Sequence, residues 1–233
     1  LGLELQALPV DEQGRHDLAA LRRLAPRAAM VCTMAANNET GVVSDLRGIE
    51  AVMRAEGAGA SWLVDCVQAL GKLPLALDAT RIDYAVFSGH KLYAPKGIGL
   101  LYVRAGAPFT PLMAGGGQEA GQRSGTENMA GIAALGAVLR ALADGGVFRE
   151  PAQMSAWRER LADALRGAFP GIVFNTPLAH ALPTTLNFSV QGRSSQELLN
   201  VFDAAGVRVS AGSACSAARA APSHVLQAMG LPA

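Results

Sequence analysis

Short apolar runs that stop on polar residues, separated by amphipathic stretches, recur through residues 1–145 and leave few folds open to this chain. That rhythm belongs to βα units built around a mostly parallel sheet. Residues 28–33 read as a buried strand, and residues 45–56 as the helix after it, with Leu46, Ile49, Val52 and Met53 at helical spacing and Ser44 before them as N-cap. Further strands are predicted at 61–64, ending on Asp65, at 84–87, ending on Ser88-Gly89-His90-Lys91, and at 99–103. A glycine-rich loop over 115–125 leads into a helix over about 127–142. The first residues read as the end of a strand.

Past residue 146 the rhythm changes. A polar helix over 151–165, strands at 171–174 and 185–190, a helix at 195–204 and a short strand at 207–209 predict a smaller α+β domain. The expected fold class is therefore α/β, with a partial large domain over 1–145 and a C-terminal α+β domain over 146–233.

Composition removes several function classes. The formal net charge is +1 and the only paired basic residues of note are Arg22-Arg23, so no nucleic-acid surface is indicated. No apolar stretch approaches the roughly 18 residues of a membrane span, and the N-terminus lacks the pattern of a signal peptide. Three cysteines, Cys32, Cys66 and Cys215, lie far apart with no C-x-x-C spacing, which argues against a disulfide framework or a zinc site and for a reducing, cytoplasmic setting. His16 and His224 read as surface residues.

In open α/β sheets ligands collect at the carboxyl ends of strands. Asn37-Asn38-Glu39, Asp65 and Ser88–Lys91 all fall at such ends and are expected to meet in one crevice. Lys91 is placed to form a Schiff base with an aldehyde, or is a surface lysine; its neighbours favour the first, with Ser88 and His90 beside it to hold a phosphate. Asp65 fits either a helix N-cap or the partner of a cationic ring nitrogen, and Gln68 could then reach the ring's phenolic oxygen. Cys215 sits among small residues (Ser210-Ala211-Gly212-Ser213-Ala214-Cys215-Ser216-Ala217), as an accessible reactive thiol would. Cys32 and Cys66 read as buried and inert.

Five motifs together resemble the cysteine desulfurases, fold-type I pyridoxal-phosphate (PLP) enzymes grouped with the class V aminotransferases. They are Asn37-Asn38-Glu39-Thr40-Gly41, Val64-Asp65-Cys66-Val67-Gln68, Ser88-Gly89-His90-Lys91, Arg123-Ser124-Gly125-Thr126 and Ser213-Ala214-Cys215. The resemblance implies that Lys91 anchors the cofactor, Asp65 pairs with its ring nitrogen and Gln68 contacts its ring oxygen. Ser88 and His90 would hold the phosphate, and Asn38 would help bind cofactor and substrate carboxylate. It also implies that Thr126 reaches the phosphate of a neighbouring subunit in a homodimer, and that Cys215 accepts sulfur from L-cysteine and passes it to an acceptor such as an iron–sulfur scaffold or a tRNA-thiolation protein. The family's ring-stacking histidine and a phosphate-binding threonine would precede Leu1, and its substrate-carboxylate arginine would follow Gly230, so a fragment lacking N- and C-terminal segments is expected. Rival readings are a selenocysteine lyase or aminotransferase on the same scaffold, or a non-catalytic fragment.

Overall fold

Chain segments distant in sequence pack together in two compact units. A computed structural model describes residues 2–57, 59–145, 150–212 and 222–231. In chain order the elements are α1 (Leu18–Leu24), β1 (Met30–Met34), α2 (Leu46–Ala55), β2 (Ser61–Asp65), β3 (Tyr84–Ser88), β4 (Gly99–Val103), α3 (Met129–Ala143), α4 (Pro151–Ala168), β5 (Ile172–Phe174), β6 (Phe188–Val190), α5 (Ser195–Ala204) and α6 (His224–Ala228). One unit comprises residues 24–35 and 47–149; the other comprises 1–23, 36–46 and 150–233.

The first unit is built on a four-stranded sheet in the order β1-β2-β3-β4, with β1, β2 and β3 parallel and β4 antiparallel. The mostly parallel sheet expected from the sequence is thus present. Alternation along β1 and β2 sends Val31, Thr33, Trp62 and Val64 to one buried face. Trp62 is fully buried, and its indole Nε1–H donates to Thr33 Oγ1 at 3.0 Å, which satisfies the one polar atom it takes into the core. On α2 the buried residues are Ile49, Val52 and Met53, one stripe of an amphipathic helix.

The opposite sheet face is more open. Met30 and Leu101 on it are exposed, and so is Cys32, which corrects the expectation of a buried thiol there. Strand alternation puts Cys32 on the face away from Val31 and Thr33, and no described element covers it enough to bury it.

At the amino end of β3, Asp83 is 4% exposed and ties three strands together. Its Oδ2 accepts the Trp62 N–H at 2.8 Å, while its Oδ1 accepts Arg104 Nε–H at 3.1 Å and a second, shorter bond from Arg104 Nη2. Arg81 adds a longer ion pair at 3.9 Å and donates to the carbonyls of Gly57 and Ala60.

The second unit holds the two-stranded antiparallel β5-β6 pair with α1, α4, α5 and α6. Its organiser is a buried arginine. Arg158 of α4 donates to the carbonyls of Leu178, Ala181 and Leu182 at 2.8–3.2 Å, holding the 178–182 segment. Helix α5 begins with a capping box: Ser194 Oγ accepts the Glu197 N–H, and the Glu197 carboxylate accepts the Ser194 N–H.

Two predicted strands are absent. Residues 207–209 and residues 2–9 adopt no regular structure, since neither finds a ladder partner among the described residues and an apolar alternation without one leaves its backbone groups to water.

His16 is also not the surface residue that its isolation suggested. It is half-buried, with Nδ1 buried and unpartnered, and burial lowers its pKa from 6.5. The fold therefore favours neutral His16, whereas the unfolded chain takes up a proton below about pH 6.5. The stabilisation is fully present above that pH and is lost as pH falls through the lower folded value. Denaturant unfolding should show this unit losing stability as pH falls below about 6.5, with a smaller loss in His16→Gln.

Candidate functional site

The carboxyl ends of β2 and β3 form one edge of the sheet, and five of the candidate residues sit there. The register aligns Met34, Asp65, Val86 and Leu101 in a single row across four strands. Asp65 is thus a half-buried carboxylate in an otherwise apolar row. Its Oδ1 accepts the Val67 N–H at 2.9 Å, which turns the chain sharply after β2. The turn brings Gln68 to the same edge, where its Oε1 accepts Lys72 Nζ at 3.1 Å. With the carbonyl oxygen so engaged, the Gln68 amide N–H groups remain for another partner.

Next to it, β3 ends on Ser88 and passes directly into a tight 3-10 turn, Gly89–Leu92. Gly89 is required by packing: a Cβ there would meet Ile98 Cγ2 at 2.9 Å and the Ile98 carbonyl oxygen at 3.0 Å. The turn closes on Tyr93, whose φ of +67° is uncommon for a residue with a side chain. Hydrogen bonds from Gly89 N–H to Ile98 O and from Ala94 N–H to Gly89 O lock both ends. Beneath it, Leu92 and Ala94 are buried against Leu135 of α3, with Leu70, Ile98 and Leu139 packed around them. Lys91 therefore projects from a rigid pedestal.

Ser88 Oγ and His90 Nδ1 share a hydrogen bond of 2.6 Å. If the hydroxyl donates, the ring carries its proton on Nε2 and offers that N–H outward; if the ring donates, the hydroxyl is freed. Either way the pair keeps one donor for an anion. Lys91 is half-buried, and among the described residues its amine has neither a hydrogen bond nor an ion pair. It lies close enough to Lys72 that burial first, and the Lys91 charge second, lower the Lys72 pKa. Lys72 was not singled out in the sequence; its signal is the spacing of one helical turn from Gln68.

Cys66 faces away from chemistry. It is fully buried, and burial together with the neighbouring Asp65 charge pushes its thiol up to about 12. Among the described residues no group of His, Cys, Asp or Glu could hold a metal ion, and no helix is long and apolar enough to cross a membrane.

Asn38 lies in the other unit, exposed on a turn whose base is Asn37. The Asn37 Oδ1 accepts the N–H groups of Glu39 and Thr40 at 2.8 and 2.9 Å. Gly41, with φ of +76°, lets Thr185 approach to within 2.7 Å of where a Cβ would stand. Thr126 is exposed just past the glycine-rich loop. Cys215 lies outside the described residues.

The family described as aminotransferase class-V matches residues 1–230. The chain is 44% identical to cysteine desulfurase 2 of Trichormus variabilis and 42% identical to a cysteine desulfurase of Gluconacetobacter diazotrophicus, each over 99% of its own length. It spans 57% of the length of each of these relatives. A solved NifS-like protein shares 34% identity and superposes with a TM-score of 0.85, over 99% of this chain and 60% of that one.

Proposed function

The chain belongs to the class-V aminotransferase family, and on that basis we propose that it is the cofactor-holding and sulfur-accepting portion of a PLP-dependent cysteine desulfurase. The observation that carries this reading is the Lys91 edge: a half-buried amine without a partner among the described residues, a Ser88–His90 donor pair beside it, and a carboxylate set in an apolar row on the adjacent strand. The donor set fits PLP, which offers an aldehyde, a phosphate, a basic ring nitrogen and a ring oxygen. Lys91 would take the aldehyde, Ser88 and His90 the phosphate, Asp65 the ring nitrogen and Gln68 the ring oxygen. Asn38 would bind cofactor and substrate carboxylate, and Thr126 the phosphate of the partner subunit in a homodimer.

Bound there, PLP supplies an electron sink for breaking bonds at the substrate's Cα and Cβ. The chain's own groups do the rest. Asp65 would keep a proton on the ring nitrogen, because a carboxylate in an apolar row is stabilised by a cationic partner. Lys91 Nζ would take the proton from the substrate's Cα and return it there once sulfur has left. Gln68 would donate to the ring oxygen while Lys72 occupies its carbonyl. Cys215, as thiolate, attacks the sulfur of L-cysteine; an S–S bond forms, the Cβ–S bond breaks with its electron pair left on carbon, and a proton there completes L-alanine. The outer sulfur of the persulfide would then pass to an acceptor protein such as an iron–sulfur scaffold, leaving Cys215 as the thiolate, in a reducing cytoplasmic setting.

Incubation with PLP and L-cysteine, followed by alkylation and peptide mass mapping, tests this. The Cys215 peptide should gain one sulfur atom, matched by one L-alanine, with none on Cys32 or Cys66. Protein that binds PLP and consumes the amino acid without placing sulfur on Cys215 would exclude the desulfurase reading in favour of an aminotransferase.

A further inference from the structure

Glu39 is a buried carboxylate that the reaction above leaves without a task, being 8% exposed and in none of the ion pairs among the described residues. Three separate pieces of chain close on it. Its N–H donates to Asn37 Oδ1 at 2.8 Å, which makes it part of the turn that displays Asn38. Its carbonyl oxygen accepts Asn187 Nδ2–H at 3.2 Å, and the next carbonyl, of Thr40, accepts Thr176 Oγ1–H at 2.7 Å. Its carboxylate Oε2 accepts the Ser223 hydroxyl at 2.6 Å, across a sequence separation of 184 residues. That length is typical of a charge-assisted O–H···O⁻ bond, about twice as strong as a neutral one.

The same oxygen marks a second approach. A Cβ built on Gly212 would stand 3.8 Å from Glu39 Oε2, so the backbone there runs beside the carboxylate. Gly212 and Ser223 flank the stretch that contains Cys215. Ser223 in turn caps α6, its Oγ accepting the Leu226 N–H at 3.2 Å. One side chain therefore sits against both flanks of that stretch and is rigidly part of the Asn38 turn.

We infer that Glu39 is a positioning residue: through Ser223 it holds the Asn38 turn and the flanks of the Cys215 stretch at a fixed spacing. The inference rests on the assignment of Asn38 to substrate and Cys215 to sulfur. Any acceptor would satisfy a hydroxyl; a buried carboxylate fixes the distance because its charge makes the bond short and costly to stretch. Glutamine at position 39 keeps an acceptor and the volume but not the charge.

Backbone hydrogen exchange in the full chain reads the coupling directly. Glu39→Gln should speed exchange at the Leu226 and Gln227 amides of α6, and Ser223→Ala should speed exchange at Glu39, Thr40 and Gly41, each by about tenfold. The double variant should be no faster than the faster single at each of these amides, and Ser223→Thr, which keeps the hydroxyl, should restore the parent rates. In PLP-loaded protein the cofactor absorbance should stay unchanged, while single-turnover sulfur transfer to Cys215 slows about tenfold in both single variants and recovers in Ser223→Thr. Exchange that rises only within the substituted element, or effects that add in the double variant, would overturn the inference while leaving the desulfurase reading intact. Parent protein that puts no sulfur on Cys215 would remove the desulfurase reading instead, and the exchange data would still decide whether Glu39 couples the two segments.

Discussion

Lys91→Ala protein should retain no borohydride-stable link to PLP and should lose desulfuration by about 10⁴-fold or more, because the same amine is asked to anchor the cofactor and to move the Cα proton. The competing candidate is close at hand. Lys72 has the lowered pKa that often marks a reactive amine, caused by burial first and the Lys91 charge second. Geometry favours Lys91 as the proposed anchor: Lys72 Nζ donates to Gln68 Oε1, whereas the Lys91 amine has no such engagement among the described residues. Peptide mapping after borohydride reduction separates the two. The adduct should sit on the Lys91 peptide in the parent and in Lys72→Met, and should be missing in Lys91→Ala. An adduct on the Lys72 peptide in Lys91→Ala protein would reassign the anchor.

How much of this was legible in the sequence depended on how local each signal was. Strand β4 and helix α5 begin and end where the pattern predicts, because a five-residue apolar run and a Ser194–Glu197 capping box each carry their own boundaries. The Lys91 edge was legible for the same reason: a polar residue that ends an apolar run lands at a strand terminus, and parallel strands bring their termini together. What failed needed partners that the local string does not name. Residues 207–209 alternate as a strand should but have nothing to pair with among the described residues. Cys32 sits in an apolar run, yet burial depends on what covers that face. His16 is polar and isolated in sequence, and only the surrounding fold makes it buried. The least visible feature was the grouping of residues 1–23 and 36–46 with 150–233. It is carried by side chains such as Thr176 and Asn187, whose partners Thr40 and Glu39 lie 136 and 148 residues away.

Replacing Asp83 with alanine should be the most damaging single change to the sheet, costing about 3–5 kcal/mol and lowering the midpoint of denaturant unfolding without a change in slope. Removing the carboxylate leaves the Trp62 N–H without its acceptor in the core and takes from Arg81 the carboxylate of its 3.9 Å ion pair. Arg104 suffers less, being 41% exposed at its side chain and able to turn to water, so Arg104→Ala should cost about 1 kcal/mol or less. Asp83→Asn keeps an acceptor for Trp62 and should fall between the two. The consequence reaches the other end of β3. Asp83 precedes Tyr84, its own N–H donates to Trp62 O, and its carbonyl accepts Arg104 N–H, so it pins β2, β3 and β4 together where they start or finish. The register it sets is the one that lines Asp65 up with Val86, two residues before Ser88. A weakened pin should therefore loosen the Lys91 edge before the sheet unfolds, and PLP affinity should drop in Asp83→Ala under conditions where circular dichroism still reports a folded chain. Asp83→Ala protein with stability within about 0.5 kcal/mol of the parent would show that the strands hold their register by backbone pairing and apolar packing alone.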